Sequence, residues 1–404
     1  MSKAPVSVSL EQVRRYCCLR QRLGRDRAST VLEVASAIPG LYGTSPTCYL
    51  SLAARVSGFR LEDLDRELYD QRALVRMRAM RGSMFVVTAE TVAVYHQATA
   101  ATARRAFTRL IEKCGVSKTE YRAIAQKITL LLEGGERTTA EIRKEISPIA
   151  DSVKHGLNFI VGLMCGEGLL IRAGVRGGWR SDQYAYARLV DWLPNVRLEA
   201  VESAEARALI ARQYFESFGP ASKQDFAWWS GFSKKDTDTC LRDIVADLRM
   251  IEIKGLPSQY LLPEQGLDPL LAETPEPVGE VSLLPAWDAY LMGYKERHRF
   301  ISADRYGFIY DRSGNSTNVI LVDGVASGVW GLQEAGDGAE FRFALFERGR
   351  RKLKVELSQL GASLGKLLGI SDTLIQEGAA PRSLIDGQAG FQSPLKDVPV
   401  RRVN

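Results

Sequence analysis

The feature that most constrains this chain is a change of hydrophobic period that occurs three times. Apolar residues recur at helical spacing, switch to strict alternation around a turn, then return to helical spacing. The first switch follows LEDLDRELYDQ, a helical segment apolar at Leu61, Leu64 and Leu68. Leu74–Met80 and Met84–Thr88 then flank Arg81-Gly82-Ser83, which reads as a β-hairpin with a basic tip. In the second round, residues 119–133 form an amphipathic helix, Thr138 and Glu141 a capping box for Ile142–Ile146, and Val153–Glu167 a further helix. They lead into a hairpin of Leu169–Ala173 and Gln183–Arg188, tipped by Arg176, Gly177, Gly178, Trp179 and Arg180. The third round runs through Ala204–Phe218, Ser222–Trp229 and Lys235–Leu248 to strands at Met250–Ile253 and Tyr260–Leu262. Helices closed by a hairpin, at loose spacings of roughly 80 to 100 residues, predict three tandem winged-helix units over 1–112, 113–198 and 199–265. In such units the third helix and the wing are the usual nucleic-acid contacts.

After an acidic, Pro-rich linker at 266–280, the pattern turns to β. Strands are expected at Val281–Leu284, Phe308–Tyr310, Val319–Val322, Gly328–Trp330 and Ala339–Leu345, with turn signals at Gly314-Asn315 and Asp323-Gly324. Lys352–Leu368 reads as a closing helix. The predicted fold is therefore α+β: three winged-helix units, a small β-barrel-like domain over 281–378, and an irregular tail at 379–404.

Composition narrows the function. No apolar run approaches the length of a membrane span, and the N-terminus lacks an apolar signal core, which predicts a cytoplasmic protein without a membrane partner. Six scattered cysteines form no CxxC pair, and neither His96, His155 nor His298 has a ligand-spaced partner, so neither metal nor other cofactor is expected. The charge is uneven. Residues 1–190 carry 29 Lys+Arg against 18 Asp+Glu, whereas the remainder carries 25 against 30. A basic front on an acidic back suits a polyanion bound on one side.

Between two of the first helices lies Gly40-Leu41-Tyr42-Gly43-Thr44-Ser45-Pro46. Gly40 and Gly43 suit a tight helix exit, Ser45 an N-cap, and Pro46 a first helical position. The turn presents the Tyr42 and Thr44 hydroxyls near a helix N-terminus. On local pattern alone, an ordinary capped inter-helix turn is the commoner explanation.

The chain resembles the winged-helix DNA-binding family that includes the AlkZ/YcaQ-type DNA glycosylases. The resemblance rests on the Gly-Leu-x-x-x-x-Pro turn and on Gly219-Pro220-Ala221-Ser222 with Asp225-Phe226 and Trp228-Trp229-Ser230-Gly231. It continues through Leu283-Leu284-Pro285-Ala286-Trp287-Asp288-Ala289-Tyr290 to Lys295 and Arg297, then Val322-Asp323-Gly324 and Gly328-Val329-Trp330. It implies a scaffold wrapping duplex DNA and, in characterised members, removal of N7-alkylated purines. Those enzymes carry Gln-x-Gln, or Gln-x-Asp or His-x-Gln, where this chain has Tyr42-Gly43-Thr44. An N7-alkylpurine is already cationic, so the enzyme need only orient water and stabilise an oxocarbenium-like sugar. Hydroxyls can hold a water but accept its proton poorly.

The candidate catalytic residues are thus Tyr42, Thr44 and Asp288, the last matching the family's Pro-x-x-Asp. Asp288 could instead organise the sheet edge or pair with Arg297. Candidate DNA contacts are Arg81, Arg176, Trp179, Arg180 and Arg297, while Trp228 and Trp229, in register with Phe226 and Phe232, read as core. The expected function is a monomeric, monofunctional DNA glycosylase acting on alkylated purines in double-stranded DNA, for repair or genotoxin resistance. A non-catalytic DNA binder on the same scaffold, or a protein-interaction scaffold without nucleic acid, are the alternatives.

Overall fold

The computed structural model describes residues 4–403 apart from 275, 277, 336–337, 348–350, 371, 386–392 and 396–397. The first hairpin forms where the period changes: Leu74–Arg78 and Met84–Thr88 pair antiparallel, and Leu41–Tyr42 extends the outer edge against Val86 and Phe85. The second hairpin, Leu170–Arg176 with Gln183–Arg188, carries a bulge between Arg172 and Gly174. These two hairpins are joined edge to edge. Arg76 pairs with Arg172, so both enter one six-stranded sheet, flanked on its far edge by Arg137–Thr138. Alternation within a strand reveals its faces but not which strand it meets, so this junction was invisible beforehand.

The third hairpin, Leu248–Ile253 with Tyr260–Pro263, belongs to a four-stranded sheet completed by Ala221–Ser222 and by Val6–Val8. The N-terminal strand runs parallel to Leu248–Ile253, with Val6 opposite Ile251. The long helix Val92–Lys113 links the first two hairpins and packs on Asp151–Gly166 and Ser203–Phe218. The predicted Thr138–Glu141 capping box is present, and Ser9–Gln12, Ser117–Glu120 and Ser222–Asp225 use the same device.

The C-terminal part is a six-stranded sheet in chain order: Val281–Leu284, Val319–Val322, Val325–Ala335, Gly338–Leu345, Thr373–Gly378 and Val400–Arg402. Among the described residues its first and last strands do not pair, so it is an open sheet rather than the expected barrel. Gly338–Leu345 and Thr373–Gly378 are parallel and joined by the helix Arg351–Leu367, because parallel neighbours need a crossover. That helix buries Leu357 and Leu364 with Trp330 and Phe341. Gly361 allows the close approach, since a Cβ there would lie 2.6 Å from the Phe341 ring.

Three further expectations are corrected. Phe308–Tyr310 is not a strand: Tyr306–Ile309 is a short helix, and Tyr310 makes an isolated bridge to Ser316. The linker contains the helix Leu267–Ala272, anchored by buried Leu270. The tail contributes the strand Val400–Arg402 and buries Leu395 and Val398, while its residues 386–392 lie outside the described residues. No helix among the described residues is long and apolar enough to cross a membrane.

Candidate functional site

The turn at Tyr42 is shaped by its backbone. The Gly43 N–H donates to the Met84 carbonyl at 2.8 Å, laying the turn on the first hairpin. A Cβ on Gly43 would lie 2.8 Å from the Phe85 carbonyl carbon, so no larger residue fits. The following helix, Thr47–Ala53, begins one residue later than the sequence suggested, and Ser45 is not its cap. The Ser45 hydroxyl instead accepts a hydrogen bond from Arg76 at 3.2 Å. The Tyr42 ring stacks on Trp287 at 5.7 Å and meets Phe85 edge-on at 6.3 Å. Among the described residues neither the Tyr42 nor the Thr44 hydroxyl has a protein hydrogen-bond partner, and both side chains are half-buried.

Trp287 brings the C-terminal region to this turn. Its φ of 58° is left-handed, a conformation that a bulky residue keeps only when its surroundings enforce it. Two donors do so: its backbone N–H reaches the Ser316 hydroxyl at 2.9 Å, and its indole N–H reaches Asn315 Oδ1 at 3.1 Å. Asn315 is held in turn by Asp311, to which its amide donates at 3.0 Å. The sequence offered Trp287 only within the Leu283–Tyr290 motif and Asn315 only as a turn signal, and assigned neither a part in the site.

Asp288, one residue on, is fully buried and does not face a cleft. Its carboxylate accepts from Arg55 twice at 2.7 Å, from the Ser51 hydroxyl at 2.6 Å and from the Tyr290 N–H at 2.9 Å. The partner is thus Arg55, not Arg297, and every favourable lone-pair direction is used. Asp288 is a structural clamp between the Thr47–Ala53 helix and the C-terminal region.

Arg297 is corrected as well. It is only 6% exposed, and its guanidinium lies 3.7 Å from the Tyr310 ring centroid while donating to the Tyr306 hydroxyl and the Gly314 carbonyl. Arg81, at the tip of the first hairpin, is exposed with φ 55° and sits over Trp228 at 4.7 Å. Trp228 is half-buried and also lies 5.2 Å from Arg297, whereas Trp229 is in the core as expected. Arg176 and Arg180 are exposed on the second hairpin, Arg176 pairing with Glu136 at 2.6 Å and Arg180 lying over Trp179 at 4.7 Å. Trp179 leans back, half-buried and edge-on to Tyr49 at 5.9 Å. The structure therefore gathers Tyr42, Thr44 and Trp287 at one place, with Arg81 at the tip of the hairpin that the Tyr42 strand flanks. Arg176 and Arg180 lie on the second hairpin, and Asp288 and Arg297 are buried.

A family described as "DNA glycosylase AlkZ-like" matches residues 41–367. The chain belongs to this AlkZ-like family. The match begins at the strand that carries Tyr42 and ends with the helix closing the C-terminal sheet. Among solved structures, the Streptomyces sahachiroi DNA glycosylase AlkZ superposes with a TM-score of 0.76 at 18% identity, over 92% of this chain and 100% of that one. At that identity the likeness speaks for the fold. No curated protein matches the chain.

Proposed function

We propose that this AlkZ-like protein binds duplex DNA and acts, as a cytoplasmic monomer, as a monofunctional glycosylase on N7-alkylated purines. The observation that carries this reading is the pair of unpartnered hydroxyls, Tyr42 and Thr44, held on a rigid turn beside Trp287. This is the turn where related glycosylases place their water-positioning amides. The three helix-and-hairpin segments are read as winged-helix units, with Arg81, Arg176 and Arg180 contacting phosphates.

Alkylation at N7 leaves the base cationic. When the C1′–N9 bond breaks, its electron pair neutralises the departing purine, and no general acid is needed. An oxocarbenium-like sugar remains, and water adds to C1′ with loss of a proton to solvent. The Thr44 hydroxyl would hold that water, while Tyr42, fixed by its stack on Trp287, closes one side of the turn. Hydroxyls orient water without accepting its proton, so the reading applies to cationic bases and not to neutral ones.

One observation favours a second reading, a DNA binder without catalysis. Asp288, the carboxylate nearest in sequence to the site, is saturated by Arg55, Ser51 and Tyr290 and can assist no water. Incubation with duplex containing N7-methylguanine, followed by alkali, separates the two. Strand breaks above the spontaneous background establish excision. Salt-dependent binding without breaks across several alkyl lesions establishes the binder, and no duplex binding at low salt removes both.

A further inference from the structure

The interior of the six-stranded sheet holds two arginines side by side, with no carboxylate on either. Arg76 and Arg172 are register partners where the two hairpins join, and they are 1% and 6% exposed. Isolated buried charge is costly, and native interiors pair it. Arg55 and Arg299 follow that rule, with Asp288 at 2.7 Å and Asp225 at 3.5 Å, whereas Arg297 is held by rings, a hydroxyl and a carbonyl. Around Arg76 and Arg172 the direct neighbours among the described residues are uncharged, with Asp65 and Asp182 standing behind them on the Tyr49 and Tyr184 hydroxyls. Arg76 donates to the Ser45 hydroxyl and to the Cys48 sulfur at 3.4 Å, and burial pushes the Cys48 thiol up, so it stays neutral. Rings supply the rest: Tyr49 and Tyr184 face Arg76 at 5.5 and 5.7 Å, and Tyr184 and Tyr186 face Arg172 at 5.3 and 5.5 Å. Desolvation raises the Tyr184 phenol to about 12, so the rings contribute no counter-charge at neutral pH.

Three buried polar atoms in this cluster have no partner: Arg76 Nε, Arg172 Nε and the Tyr69 hydroxyl. All three are donors. Tyr69 also feels the Arg76 charge, which places it in the same cluster. Two adjacent guanidiniums without a direct carboxylate partner, beside three unmet donors, suit an anion, and guanidinium forks match phosphate oxygens best.

The geometry points to a phosphate-binding site between Arg76 and Arg172, next to the Tyr42–Thr44 turn. Because Arg76 also holds Ser45, an anion there is linked through one side chain to the residue following Thr44. Trp179 leans on Tyr49 beside the cluster, from a hairpin tip whose Gly177 and Gly178 both adopt positive φ. Naming the phosphate as one from the DNA backbone rests on the proposed function; binding of inorganic phosphate does not.

The test uses the full chain and two probes. Calorimetric titration with inorganic phosphate, at ionic strength fixed with chloride, reads the site directly. Saturable binding that falls at least tenfold in Arg172→Gln is expected from the loss of one charged hydrogen-bonding partner, worth roughly one to two decades. Duplexes bearing one neutral methylphosphonate at successive positions then read the source. If one position weakens binding to the wild type about tenfold but leaves Arg172→Gln unaffected, the ligand is a backbone phosphate. If phosphate binds but no position matters, the site takes a free phosphate. If the wild type takes up no phosphate saturably and both proteins respond alike to every methylphosphonate, the site is refuted and the pair holds buried water only. Should Arg172→Gln not fold, the wild-type titration and the charge-retaining Arg172→Lys decide the matter. A wild type that binds phosphate but no duplex overturns the DNA reading and leaves the site standing.

Discussion

Trp287 and Asp288 are neighbours in the chain, yet they serve opposite kinds of environment. Trp287 reaches back to the Tyr42–Thr44 turn, where two hydroxyls have no partner among the described residues. Asp288 turns inward, with both oxygens saturated by Arg55, Ser51 and the Tyr290 N–H. The left-handed backbone at Trp287 is what separates the two side chains. The contrast gives a physical criterion for function: a side chain with spare hydrogen-bonding capacity at a rigid, half-open position can serve a ligand, whereas a saturated one serves the fold. In this molecule the carboxylate that looked most catalytic is the structural group.

Substitutions should divide accordingly. Asp288→Asn leaves the Arg55 charge buried against a neutral amide, and should cost about 3–5 kcal/mol of stability, read as a lower urea midpoint. A shift below about 1 kcal/mol would mean that the clamp is dispensable. Thr44→Ala should leave the urea midpoint within about 0.5 kcal/mol while slowing release of N7-methylguanine about 100-fold, or about 2.7 kcal/mol of barrier. An unchanged rate would remove Thr44 from the reaction. Changing Arg81, Arg176 and Arg180 together to Ala should flatten the salt dependence of duplex affinity by close to one unit per lost phosphate contact. Unaltered affinity and slope would show that the hairpin tips do not touch DNA. The smallest effect is expected at Tyr42. Tyr42→Phe keeps the stack and should change excision less than about threefold, whereas Tyr42→Leu forfeits an aromatic pair worth about 0.5–1.5 kcal/mol. A large loss in Tyr42→Phe would instead assign the phenol a direct part.

Much of the architecture was legible because hydrophobic period is a local signal. The three hairpins, the Thr138 cap and the closing helix all follow from spacing alone. What escaped depends on partners far apart in sequence. Val6–Val8 pairs with a strand more than two hundred residues away, and Arg76, in an alternating strand, is buried by Arg172 and by tyrosines distant in the chain. The short helix at Tyr306–Ile309 was mistaken for a strand because four residues are too few to show a period. At the site, the sequence located the turn but not its surroundings. The part of Trp287 became visible through its stack on Tyr42 and its backbone conformation, and Arg297, named as a surface contact, is enclosed by aromatic rings.

The junction of the two hairpins has a mechanical meaning. The two arms of a forked tool that share one rivet cannot be spread independently, and these hairpins meet at a single matched residue pair. On the proposed reading, the two tips would meet a duplex from one shared sheet rather than as separate arms.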